Sequence, residues 1–150
     1  MLTPDETAIA EIEREMASAQ AVEGVTRTWD DNVVYYDIQP RSVVGKAAAV
    51  AEIAEQFRGV KNLRTKILQL TVHAEGNIGY AFSTQNFIAD ATNGGPELNF
   101  IFRETDIFVK KEGQWRLVHQ HLSVPIDFAS GRAVWNPQES STPSKGGPEK

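Results

Sequence analysis

The 150-residue sequence contains no cysteine, which excludes disulfide frameworks, thiol nucleophiles and cysteine-ligated zinc together. It has no uninterrupted apolar run near the ~20 residues that span a bilayer. Its first residues, Met1 to Glu6, are acidic where an export signal is basic and then apolar. Positive charge is scarce: 15 Lys+Arg against 20 Asp+Glu give a formal charge of −5, the wrong sign for tight binding to phosphate backbones or anionic lipid. These absences predict a cytoplasmic protein with neither a nucleic-acid nor a membrane partner. What is present is ordinary globular composition, 41% hydrophobic and 23% charged, enough for one domain. A chain of this length buries about 68–70% of its unfolded surface, so its core needs no metal or disulfide.

The first third reads as helix and the rest as strand. Thr3-Pro4-Asp5-Glu6 places a hydroxyl at a cap, proline at the first helical position and glutamate three residues past the cap. Ile9, Ile12 and Met16, then Val22, Val25 and Trp29, repeat at helical spacing, which predicts two amphipathic helices or one bent helix over residues 4–31. Val33 to Ile38 is β-branched and aromatic, a short strand ended by Pro40. A third helix is expected from Lys46 to Arg58, closed by Gly59.

From Asn62 the period becomes two, with Leu68, Leu70 and Val72 sharing one face. Strands follow over 78–90, 97–110 and 114–124, separated by Thr92-Asn93-Gly94-Gly95-Pro96 and Glu112-Gly113, an antiparallel meander. The organisation is therefore α+β: one domain over residues 1–135, in which three N-terminal helices cover one face of the sheet, followed by a tail over 136–150 with no aliphatic or aromatic residue to repay ordering.

The covered face carries the chemistry. If Glu112-Gly113 is a two-residue loop, Phe108 sits opposite Leu117, Asp106 opposite His119, Glu104 opposite His121 and Phe102 opposite Ser123, with Trp115 nearby. Aromatic residues favour burying this face, and buried carboxylates and imidazoles are costly unless paired or lining a cavity, so a pocket is expected. Asp106 and His119 then form either a tuned catalytic pair or a structural contact. Asp37, at the end of the first strand beside Tyr35, is either a general base or a solvated terminator. His119-Gln120-His121 also has the spacing of a two-imidazole metal pair, but a third ligand from Glu104 or Asp106 would be required, and no metal is assigned.

The runs Phe102 to Phe108 and Glu112 to Ser123, with the pattern Gly113-x-Trp115-x-x-x-His119-x-His121-x-Ser123, resemble the last two strands of SnoaL-like proteins in the nuclear transport factor 2-like superfamily. The order of elements agrees across residues 3–128. The resemblance implies a cone: a curved antiparallel sheet wrapped around three helices and enclosing a pocket. Ketosteroid isomerases of that superfamily pair a base Asp after the first strand with a protonated Asp in a late strand, which by pattern implies Asp37 as base and Asp106 as oxyanion-binding acid. Their helix-one tyrosine has no counterpart around Glu13 to Met16.

The expected function is a cofactor-independent acid–base enzyme of isomerase, dehydratase, cyclase or hydrolase type, acting on an apolar or carbonyl-bearing metabolite. Asp37, Asp106 and His119 are its catalytic residues, and Tyr35, Phe102, Glu104, Phe108, Trp115 and His121 its substrate contacts. The alternative is a non-catalytic ligand-binding or oligomerisation module, since Trp115 to Ser123 also resembles the association domain of calmodulin-dependent kinases. A homodimer is expected under both.

Overall fold

Thr3 caps the first helix as its sequence requires: its hydroxyl accepts from the Glu6 N–H at 3.2 Å, and the Glu6 carboxylate accepts from the Thr3 N–H at 2.9 Å. The computed structural model describes residues 1–137, so the tail expected over 136–150 lies, from residue 138 on, outside the described residues. Helix α1 spans Pro4–Ser18 and buries Ile9, Ala10, Ile12 and Glu13. Helix α2 is a single turn, Val22–Thr26, and α3 runs Lys46–Phe57, closed by a Gly59 N–H to Gln56 carbonyl bond.

The helix expected to continue to residue 31 does not form. Gly24, Val25, Thr26 and Thr28 are weak helix formers, and β1 begins at Trp29, whose buried ring belongs to the core.

The other strands are β2 (Ser42–Val44), β3 (Val60–Lys61), β4 (Lys66–Glu75), β5 (Ile78–Ala91), β6 (Leu98–Lys111), β7 (Gln114–Ser123), β8 (Ile126–Asp127) and β9 (Arg132–Ala133), with β1 ending at Tyr36. The main sheet is an unclosed path, β2-β1-β7-β6-β5-β3, with β4 added along β5 from Ile78 to Asn86. Strands β4 to β7 form the expected antiparallel meander, and β1 joins it by pairing in parallel with β7. The helices cover the inner face, α1 against β4 and β5 and α3 against β1, giving the expected α+β arrangement.

The hairpin between β6 and β7 has the expected two-residue loop, with Glu112 at φ 52° and Gly113 at φ 76°, the left-handed pair that a type I′ turn requires. Register follows as expected from Lys111↔Gln114 to Phe108↔Leu117 and then slips by one, so that Ile107 faces His119 and Asp106 faces Gln120. Val118 is the extra residue of this bulge. A second bulge corrects β4: Ile67 pairs Gln85 and Gln69 pairs Thr84, so Leu68 turns outward, 46% exposed, rather than sharing a face with Leu70 and Val72.

The inward residues of β5 begin Gly79, Ala81 and Ser83, small enough for α1 to lie close. A Cβ at Gly79 would collide with the end of the fully buried Ile9 side chain and stand 3.2 Å from the His73 carbonyl. Gly79→Ala should therefore lower unfolding stability by about 1–3 kcal/mol, read by urea denaturation.

Candidate functional site

Alternation along β6 sends Phe100, Phe102, Glu104, Asp106 and Phe108 inward. The bulge at Val118 changes what they meet. Asp106 lies on the inner face with the buried Gln120, whereas His119 and His121 turn to the outer face. The Asp106–His119 and Glu104–His121 pairs expected from a regular register therefore do not exist, because each histidine lies across the sheet from its carboxylate.

What meets Asp106 is Glu13, which the sequence pattern did not single out. Glu13 sits four residues after Ile9 on the stripe that α1 turns toward the sheet, and it is 1% exposed. Glu13, Glu104 and Asp106 each bring a carboxylate oxygen within 4.8 Å of the others. None of the four oxygens of Glu13 and Asp106 meets an ordinary donor; their polar neighbours are the other carboxyls. Gln85 stands beside Glu104 and donates to the Ser83 hydroxyl at 2.9 Å.

Burial, followed by repulsion from Glu104, pushes the Glu13 carboxyl up to about 8. The same two causes hold Asp106 well above the carboxylate range, and burial raises Glu104. Like charges so close in an apolar medium cannot all ionise, so the cluster shares protons at neutral pH. Glu13 and Asp106 donate toward Glu104. Three carboxylates at this spacing also match the oxygen set of a hard cation, and the stability of Glu13→Gln distinguishes the two.

A cavity of about 740 Å³ is lined by Tyr35, Asp37, Gln56, Phe87, Phe100 and Trp135 among others. A deeper chamber of about 140 Å³ shares Tyr35, Gln56, Phe57, Phe87, Phe102 and Leu122 with it and is floored by Gln85, Glu104 and Gln120. The two form one funnel, apolar along its walls and polar at both ends. Phe87, Phe100 and Trp135 make the aromatic wall, with ring centres 5.2 and 5.4 Å apart in succession.

Asp37 stands at the rim, just past β1, where it accepts hydrogen bonds from Gln56 Nε2 and from the Ile38 N–H, the latter at 2.7 Å. Burial, then the Asp37 charge, raises the Tyr35 hydroxyl far above its ordinary value. Of the expected site residues, the contacts Tyr35, Phe102 and Glu104 and the catalytic Asp37 line the funnel. Asp106 is fully buried behind Glu104 and is not among the lining residues. Phe108 and Trp115 pack instead in the core under α1, where the Trp115 indole N–H donates to Asp5 at 3.0 Å.

A family model for the SnoaL-like domain matches residues 8–127. Among solved structures, an NTF2-like protein of unknown function from Pseudomonas putida superposes with TM-score 0.80 at 24% identity, covering 92% of this chain and 99% of its own. A protein from Novosphingobium aromaticivorans, provisionally named a scytalone dehydratase, gives 0.73 at 13% identity, covering 89% and 92%. The association domain of CaMKII from C. elegans gives 0.63 at 20% identity, covering 81% and 99%. At these identities the likeness is one of fold. No curated protein matches the chain.

Proposed function

The chain belongs to the SnoaL-like domain family, and from that premise we propose that it is a cofactor-independent acid–base enzyme acting on an apolar, carbonyl-bearing small molecule inside the funnel. The observation that carries this reading is the buried Glu13–Glu104–Asp106 cluster, which meets the funnel through Glu104. Asp37 at the rim removes a proton. Glu104 at the floor takes a proton from Asp106 or Glu13 behind it and hands it to the developing oxyanion. A carboxyl raised toward working pH suits such a role, and the apolar walls exclude competing water.

The test uses 5-nitrobenzisoxazole, an apolar carbon acid whose C–H is removed as its N–O bond breaks to give a coloured phenolate. Saturable conversion lost in Asp37→Asn supports the reading. Conversion no faster than that of free acetate overturns it.

A second reading, assembly, is favoured by the outer face. Tyr80 and Phe82 stack there with ring centres 6.0 Å apart, and Ile107, also exposed, pairs with Tyr80, apolar side chains of the kind that mark an interface. The occupant proposed is a second copy of the chain. Phe82→Glu should convert the dimer to monomer in analytical ultracentrifugation, and a wild-type chain that sediments as a monomer rejects it.

A further inference from the structure

The pair His119 and His121 is left without a role once the Val118 bulge has turned it outward, and its surroundings are not those of idle surface histidines. His119 Nδ1 lies 2.8 Å from the Val34 carbonyl oxygen. A carbonyl can only accept, so Nδ1 carries the hydrogen and, in the neutral ring, Nε2 is left with its lone pair free. That is the arrangement in which metal-ligating histidines are held: one nitrogen donates to a backbone carbonyl, which fixes the tautomer and orientation of the other. Tyr36 braces both rings edge-on, its centre 4.9 Å from that of His119 and 5.5 Å from that of His121.

The two imidazoles stand two residues apart on one face of β7, with ring centres 6.3 Å apart. Two imidazoles bound to one tetrahedral ion at about 2.0–2.1 Å have ring centres roughly 5 Å apart, so a modest side-chain rotation of the exposed His121 closes the difference. We propose that His119 and His121 form a two-nitrogen chelating site for a divalent ion that prefers imidazole, of the zinc and copper class. Two coordination positions are left to water. Glu104 and Asp106 cannot serve as the third ligand considered in the sequence, because they face the other side of the sheet. The ion therefore stays out of the funnel and its chemistry, and the site stands whether or not the protein is an enzyme.

The experiment titrates Zn²⁺ alone into the full chain and follows the three histidine ring resonances by NMR. The His119 and His121 signals should move together to a common saturation while the His73 signal stays in place. His121→Ala and His119→Ala should each weaken binding by at least the ~10-fold that even outer-shell changes at zinc sites cost. Unchanged thermal unfolding of the metal-free His121→Ala variant, which removes only an exposed ring, shows that any loss is one of ligation. His119 and His121 signals that do not move, or an affinity unchanged in His121→Ala, overturn the proposal.

Discussion

Glu13→Gln is expected to make the protein more stable at neutral and alkaline pH, against the usual outcome for a substitution at a buried position. The folded chain holds the Glu13 proton up to about pH 8, whereas the unfolded chain releases it near the ordinary 4.5. The native state thus binds more protons than the unfolded state throughout that window. Stability therefore falls as pH rises through it, and none of this penalty remains below the unfolded value. At pH 7 the accumulated cost is about 3 kcal/mol. Glutamine keeps the shape, carries no charge, and offers its amide hydrogens to the otherwise donorless Asp106 oxygens. Urea denaturation should show the variant more stable by about 3 kcal/mol at pH 7, roughly 10 °C in melting temperature, with the difference vanishing near pH 4. A variant less stable than its parent at pH 7 would mean that Glu13 is ionised and held by a cation, which would replace shared protons with a metal in the funnel floor. A cost of this size kept in the core is what the proposed function would require of a site held at the expense of stability.

That site was only half legible in the sequence. The inward row of β6 could be read because alternation fixes which side chains share a face, and the Glu112-Gly113 loop fixed the first four pairs of the hairpin. The bulge at Val118 was not legible. In Trp115 to Ser123 both alternating sets mix apolar and polar residues, so periodicity gives no preference between carrying His119 inward and carrying Gln120 inward. Tertiary context decides it: β7 also pairs in parallel with β1, where the His119 ring bonds the Val34 carbonyl. The extent of α2 failed for a related reason, since Val22, Val25 and Trp29 keep helical spacing while Trp29 is claimed by the sheet. Glu13 did leave a signal. It is a carboxylate on the stripe between Ile12 and Met16, and a polar residue on a buried stripe says more about function than any apolar neighbour does.

Glu104→Gln and Asp106→Asn should affect turnover in different ways, and the difference separates a proton donor from the groups that supply it. Glu104 alone among the three carboxyls lines the funnel, so its replacement by an amide, which can donate a hydrogen bond but not a proton, removes the acid itself. Conversion of 5-nitrobenzisoxazole by Glu104→Gln should fall about 10²–10⁴-fold at every pH, as it should for Asp37→Asn at the rim. Asp106 reaches substrate only through Glu104. Its carboxyl hydrogen-bonds to Glu104 and Glu13 in the sense that lowers both, so an amide, a weaker donor, leaves the remaining carboxyls holding their protons to higher pH. Asp106→Asn should retain most of its acid-side rate and move the alkaline limb of the pH profile upward, a displacement that simple loss of packing does not produce. If instead the two variants lose rate equally at all pH values with unshifted limbs, Asp106 itself touches the reacting molecule, and the acid assignment returns to the late-strand aspartate that the superfamily resemblance implied.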